Sequence, residues 1–434
     1  MNKFTINRKE PFYLGIVLIV VGISLRWLIE HILTSDGRIE SALYGNAIFA
    51  FQLLMVFVGI FLILRQPAIS APKKGDVALL LFITFLTFFL LEGMARVWLN
   101  NFTTPAQHDR FVLFTSIDPQ DYAFTPHPYL VYYPTPSYKK GPTSHNALGY
   151  RNDEFPQQKP DGVFRIVALG GSSTYDVSIP DNKQIFTAQL EKLLKEEYGY
   201  ENVQVINAGV PGYNTWEILT NLEFRVLDLD PDLVIIYENT NDVHARLVVP
   251  AAYRGDDLGR RKVWQVPHVA WWEHSAALRI ASRALNITRQ VSIDDFVTAP
   301  TYLSWPFEDR LESANLDPMQ ILKENPPVYY RRNLENMIAI AKEHGVQILF
   351  STWAYSPFLK DYASQAYYQQ GFRENNEVVK DIATSHDIPL FDFASVMPQE
   401  AQYWADGRHV NEAGALLKAR FFAEFIDAQG LIEK

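Results

Sequence analysis

The chain contains no cysteine. Disulfides, thiolate zinc sites, iron–sulfur clusters and a cysteine nucleophile are therefore excluded, while the redox compartment stays open. Positive charge is scarce as well: 39 Lys and Arg stand against 49 Asp and Glu, a formal net charge of -10. A nucleic-acid partner wants a basic face, so none is expected. No phosphate loop, nucleotide fingerprint or redox motif occurs, and no cofactor is expected. The spacing of His244, His268 and His274 matches no helical i,i+4 ligand pair, so no metal is expected either.

Long apolar runs are missing after residue 100, and three of them crowd before it. "FYLGIVLIVVGISLRWLIEHIL" (12–33), "AIFAFQLLMVFVGIFLIL" (47–64) and "VALLLFITFLTFFLLEGMARVWL" (77–99) each approach the roughly 20 residues that cross a hydrocarbon core. They are expected to form a three-helix membrane anchor over residues 1–99, spanning about 12–33, 47–64 and 77–98. Arg26 and Glu30 near the end of the first run can snorkel to the interface. Lys3, Arg8 and Lys9 precede the first run, Arg65, Lys73 and Lys74 lie between the second and third, and the intervening loop offers Arg38. This asymmetry predicts a cytoplasmic N-terminus and an extracytoplasmic remainder, with Trp98 as an aromatic anchor at the outer face. Two spans follow the first and no small-residue cleavage site is evident, so a cleaved signal peptide is not expected.

Residues 100–162 are rich in proline, tyrosine and polar side chains and predict a linker that becomes an irregular collar. From residue 163 the pattern changes. "FRIVALG" (164–170), "VQVINAG" (203–209), "PDLVIIYE" (231–238), "VQILFSTW" (346–353) and "IPLFDF" (388–393) are continuous apolar runs. Between them lie amphipathic segments starting near Asp181, Asn214 and Arg332, another over 362–385, and a last one from about Glu412. Strands apolar on both sides, joined by helices, predict a parallel sheet covered on both faces: a three-layer, doubly wound α/β domain over 163–434.

In such sheets, ligands gather beyond the carboxyl ends of the strands. Four polar loops fall there: "GGSST", "NAGVPGYNT", "ENTNDV" and, before the final helix, "DGRHVNEAG". Ser172, freed by Gly170 and Gly171, opens onto a helix N-terminus. Its N–H can face an oxyanion, although a Gly-Gly turn with a capping serine has the same local pattern. Asp406 and His409, three residues apart, can supply the base and the group that orients it. Gly212 and Asn241 can add a backbone and a side-chain donor to an oxyanion hole with the Ser172 N–H.

This ordered quartet resembles the SGNH (GDSL-like) hydrolase family, whose four blocks carry serine, glycine, asparagine and histidine. The resemblance runs from about residue 125 to the end, apart from an insertion. It implies a flavodoxin-like SGNH hydrolase fold, Ser172 as nucleophile, Asp406 and His409 completing a triad, and Ser172, Gly212 and Asn241 as the oxyanion hole. The family register of glycine, any residue, serine, any residue, threonine selects Ser172 over Ser173. Gly171 stands where the GDSL form has aspartate, and Asn239 where the third block usually has glycine.

Residues 243–330 form an insertion far longer than an ordinary crossover. Its Trp264, Trp271, Trp272, Tyr302 and Trp305 suit either a substrate platform over the site or a small hydrophobic satellite; the four tryptophans are the substrate-binding candidates. The resemblance implies an acyl-serine esterase. An outward-facing, tethered member fits O-acetyl groups of an envelope or exported polysaccharide. The alternatives are an O-acyltransferase served by a membrane acyl-donor partner, a lysophospholipase or lipase, and a non-catalytic glycan-binding assembly protein.

Overall fold

The computed structural model describes residues 9–33, 42–67, 73–113, 122–127, 130–256, 269–285, 287–288 and 317–432. The chain divides into two compact units: residues 1–118 with 266–291, and residues 119–265 with 292–434.

The first unit contains three long helices, α1 (Lys9–Leu33), α2 (Ala42–Arg65) and α3 (Lys74–Asn101), each long and apolar enough to cross a membrane. Small residues let α1 and α2 approach closely: a Cβ on Gly15 would lie 2.6 Å from the Gly59 carbonyl, and one on Gly59 would lie 2.6 Å from the Gly15 carbonyl. Gln52 Nε2 adds a hydrogen bond to the Gly22 carbonyl, 2.8 Å away. The unit is completed by α4 (Pro105–Phe111), a 3-10 turn over Trp271–His274, and α9 (Ala276–Ala284) from the insertion. Thr104 and Gln107 form a capping box at the start of α4, a helix inside the segment expected to be irregular.

The second unit opens with two short hairpins, β1 (Phe124–His127) with β2 (Val131–Pro134), and β3 (Lys139–Lys140) with β4 (Thr143–Ser144). The main sheet is built from β5 (Phe164–Gly170), β6 (Val203–Gly209), β7 (Leu233–Tyr237), β8 (Gln347–Ser351) and β9 (Leu390–Phe391). All its pairings are parallel, in the order β6-β5-β7-β8-β9. Its helices, in chain order, are α5 (Ser172–Tyr175), α6 (Phe186–Glu196), α7 (Thr215–Asn221), α8 (Thr240–Arg246), α10 (Pro318–Glu324), α11 (Val328–Glu343), α12 (Ala366–His386), α13 (Phe393–Val396) and α14 (Glu412–Ala428).

The two-residue period of the strands assigns their side chains to two cores. Ile166, Ala168, Leu233 and Ile235 pack with Phe186 and Leu190 of α6 and Ala419 and Phe422 of α14. Val167, Leu169, Val234 and Ile236 pack on the opposite face with Ile218 of α7 and Leu334 and Met337 of α11. Being covered on both sides is why the strands are apolar without alternation.

Three expectations shift. The helix expected near Asp181 starts at Phe186, because Asp181 closes a turn through the Lys183 and Gln184 N–H groups. The helix after Asn214 is α-helical only to Asn221, then widens to a π turn over Leu222–Val226 and tightens to 3-10 over Leu227–Leu229. The last strand contracts to Leu390–Phe391, since Pro389 has no N–H to give and Asp392 turns to accept from the Thr352 hydroxyl at 2.7 Å.

Candidate active site

The carboxyl ends of β5, β6 and β7 deliver the first three loops to one edge of the sheet, and the turn before α14 meets them there. Gly170 must be glycine: a Cβ would lie 2.1 Å from Thr174 Oγ1 and 2.2 Å from the Tyr237 carbonyl. This close approach turns the chain from β5 straight into α5, with Ser172 as its first helical residue. Thr174 Oγ1 bonds the Tyr237 carbonyl at 3.0 Å, and Asn207 Nδ2 bonds the Thr174 carbonyl at 2.8 Å, so the turn is tied to both neighbouring strands.

Ser172 is half-buried, and its Oγ lies 2.7 Å from His409 Nε2. His409 Nδ1 lies 2.7 Å from Asp406 Oδ2. The other oxygen, Asp406 Oδ1, accepts from the N–H groups of Arg408 at 2.7 Å and His409 at 2.8 Å. Burial pushes the Asp406 carboxyl up, but these hydrogen bonds and the adjacent imidazole outweigh it and bring the pKa down to about 2. The aspartate is thus held ionised and the imidazole held at a set angle. Ser173 is placed otherwise: it is buried, and its hydroxyl donates to the Arg408 carbonyl at 3.1 Å.

Gly212 sits at the third position of a turn closed by Tyr213 N–H to the Val210 carbonyl, with Pro211 before it and φ of 81°. That is the geometry of a type II turn, where glycine avoids strain. Tyr132 of β2 bonds the Pro211 carbonyl through its hydroxyl, and Tyr213 returns a bond to the Tyr132 carbonyl. The collar hairpin therefore braces this loop. Asn241 lies in the first turn of α8, its Nδ2 donating to the Tyr213 carbonyl at 2.8 Å, which leaves the amide's second hydrogen for another acceptor. Asn239 has φ of -159°, outside the left-handed region that favours glycine, and its side chain bonds the Phe372 carbonyl and Asn376 Oδ1 at 3.0 Å each. The usual glycine is not required here.

Buried groups that the sequence did not single out support this edge. Glu238 Oε1 accepts the Asn241 N–H at 2.9 Å, and Oε2 occupies the space beside Gly171, 2.3 Å from where a Cβ would project. Burial raises the Glu238 pKa to about 7, against the lowering effect of the Asn241, Asn239 and Gly171 N–H groups. Lys418 is buried beneath α5, donating to the Ser173 carbonyl at 2.8 Å and lying over the rings of Phe186 at 3.7 Å and Tyr237 at 4.1 Å. Burial lowers its pKa to about 8, with the charge of Asp176 opposing. A signal for it existed: Lys418 interrupts the apolar stripe Ala415, Ala419, Phe422, Ala423, Ile426 of α14. Arg151 bonds the carbonyls of Tyr175 and Asp176, both at 2.9 Å, and stacks over the Tyr175 ring.

The four candidate tryptophans are placed differently. Trp271 is exposed and Trp272 buried, both within the first unit, while Trp264, Tyr302 and Trp305 lie outside the described residues. His244, weighed as a metal ligand, is buried with Nδ1 2.7 Å from the Tyr368 hydroxyl.

A serine, histidine and aspartate linked in series beyond a five-stranded parallel sheet define a hydrolase of the serine-nucleophile class. The chain belongs to the GDSL-like Lipase/Acylhydrolase family, which it matches over residues 168–417, and is an acylhydrolase acting on carboxylic esters. No curated protein matches it. Among solved structures it is similar to a lipase/acylhydrolase from Enterococcus faecalis, 19% identical, covering 62% of this chain and 97% of that one, with a TM-score of 0.37. It is also similar to a catalytic mutant of an acetylxylan esterase from Geobacillus stearothermophilus, 17% identical, covering 61% and 94%, with a TM-score of 0.37.

Proposed function

We propose that this chain is a membrane-anchored serine esterase working outside the cytoplasm on O-acyl groups, O-acetyl foremost, of an envelope or exported polysaccharide. The observation that carries the chemistry is the relay from Ser172 Oγ to His409 Nε2 and from His409 Nδ1 to Asp406, 2.7 Å at each step.

Ser172 Oγ attacks the acyl carbonyl while His409 Nε2 takes its proton, and Asp406 stabilises the imidazolium. The tetrahedral oxyanion meets the Ser172 N–H, the Gly212 N–H and the Asn241 amide. Collapse expels the sugar hydroxyl, which takes the proton back from His409, and leaves Ser172 acylated. Water, activated by the same histidine, then releases the acid. A second sugar hydroxyl in place of water makes the same site an acyltransferase.

The glycan reading rests on the outward placement of a tethered acylhydrolase, which brings the site to the envelope side of the membrane. The outward orientation is supported by the basic flanks of the apolar runs, Lys3, Arg8 and Lys9 ahead of the first run and Arg65, Lys73 and Lys74 between the second and third.

The test is turnover of p-nitrophenyl esters of increasing chain length, and acetate release from an O-acetylated polysaccharide, by the full chain in detergent. Acetate turnover together with release from the polysaccharide is the expected result. A preference for long acyl chains replaces the glycan reading with a lipid one. Inactivity on every ester, with acyl transfer to a sugar acceptor, replaces hydrolysis with transfer.

A further inference from the structure

Helix α9 is amphipathic in the wrong sense for water. Its inward face carries Arg279, Ser282 and Arg283, all buried. Its outward face carries Leu278, Ala281, Ala284 and Leu285, spaced three, three and one residues apart along one side, and Leu278 and Leu285 are 41% and 57% exposed. Both arginines bond to carbonyls inside the first unit. Arg279 Nε bonds the Phe111 carbonyl at 2.8 Å, and Arg283 Nη1 bonds the carbonyls of Arg110 at 3.0 Å and Val112 at 2.7 Å. The inversion is thus built into the packing.

The helix is also fastened to α3. Glu92 accepts from the Ser275 hydroxyl at 2.7 Å and from the Ala276 and Ala277 N–H groups at 3.1 and 3.0 Å, so a carboxylate from the apolar helix caps the start of α9. Below Glu92, α3 exposes Phe85, Phe89, Leu90 and Leu91; above it, Met94 and Val97. Trp271, 73% exposed, and Ile287, 46% exposed, flank α9 on the same unit. The apolar outer face of α9 therefore continues the lipid-facing surface of α3 near the end of its charge-free stretch, where tryptophan and arginine belong.

We propose that α9, with Trp271 and Ile287, is a membrane-interface element. It lies at the bilayer surface, its Leu278–Leu285 face turned to lipid, held at that depth by the Glu92 clamp. The occupant of the apolar face is the bilayer in which α3 is embedded.

The absence of native cysteine allows single spin labels to be placed directly in the full chain. Leu278→Cys and Leu285→Cys are each labelled with a nitroxide in vesicles of phosphatidylethanolamine and phosphatidylglycerol. Leu81→Cys in α3 is the lipid control, and Phe358→Cys, exposed in the second unit, the water control. Collision with oxygen and with a water-soluble nickel chelate is measured at each site. High oxygen and low nickel accessibility at Leu278 and Leu285, as at Leu81, is expected. Accessibility matching Phe358 overturns the proposal in favour of a water-exposed helix. Low accessibility to both reagents overturns it in favour of a second copy or another protein covering the face. Adding Glu92→Ala to Leu278→Cys is expected to raise nickel accessibility several-fold, and no change removes Glu92 from its role. These readouts do not depend on esterase activity, so their outcome is separate from the test of the catalytic reading.

Discussion

His409 Nε2 lies 2.7 Å from Ser172 Oγ across a sequence separation of 237 residues, while the adjacent Ser173 hydroxyl is committed to the Arg408 carbonyl. Ser172→Ala is therefore expected to lower ester turnover by roughly 10⁴-fold or more, with Ser173→Ala retaining most of it. A fluorophosphonate probe should label wild type and Ser173→Ala alike and leave Ser172→Ala unlabelled. Labelling of Ser172→Ala would assign the nucleophile elsewhere.

Asp406→Asn keeps the shape of the turn but offers an amide to His409 Nδ1. The imidazole then settles in the tautomer that cannot take the Ser172 proton. A drop in kcat on the order of 10⁴ is expected, with little change in thermal stability. Retained activity would make Asp406 a structural residue of the turn.

Asn241→Ala removes the amide that lies beside Gly171 and leaves the triad in place. Its kcat is expected to fall by about 10²–10³-fold while KM stays close to wild type, since the interaction strengthens only as the oxyanion forms. An increase confined to KM would show that Asn241 binds substrate in its ground state.

Restoring the GDSL sequence should damage this protein. In Gly171→Asp the new Cβ meets Glu238 Oε2 at 2.3 Å and Asn241 Nδ2 at 2.6 Å, and a second carboxylate joins the buried first. A loss of about 2 kcal/mol or more is expected from crowding, with a lowered Tm and little activity. Adding Glu238→Ala to Gly171→Asp should recover part of both, because it vacates the space the aspartate needs.

Glu238 also predicts a pH dependence of stability. Burial raises its pKa from the usual 4.5 to about 7, so the folded state holds a proton that the unfolded chain has released. The contribution is fully present below pH about 4.5 and is lost as pH rises through about 7, up to roughly 3 kcal/mol. Relative to Glu238→Gln, wild type should therefore lose stability between pH 5 and pH 8 in thermal melts. Parallel curves would mean that the carboxyl is solvated or paired in solution.

The sheet was legible because its strands are buried on both faces, leaving continuous apolar runs such as "FRIVALG" and "LVIIY" that no exposed segment would show. The candidate site was legible because each member follows a strand or precedes a helix in an ordered set. Less legible were the groups beneath it. Glu238 reads as an ordinary strand-end acid and Lys418 as one basic residue on a helix; their burial comes from elements distant in sequence. The insertion was less legible for a related reason: its tryptophans fit a platform or a hydrophobic satellite equally, and Trp271 and Trp272 fall in the first unit with α3 and α4.

Sequence by itself determined the material of each part: three apolar runs long enough to cross a bilayer, a covered parallel sheet, and an ordered set of serine, glycine, asparagine, aspartate and histidine. These depend on local period and composition, which a linear chain displays. Only the tertiary structure decided where the Ser173 hydroxyl goes, which buried side chains crowd Gly171, and which way α9 turns its arginines. Those outcomes rest on angles of a few tens of degrees and gaps of a few tenths of an ångström between segments hundreds of residues apart. Close packing sets them, and no local pattern records them.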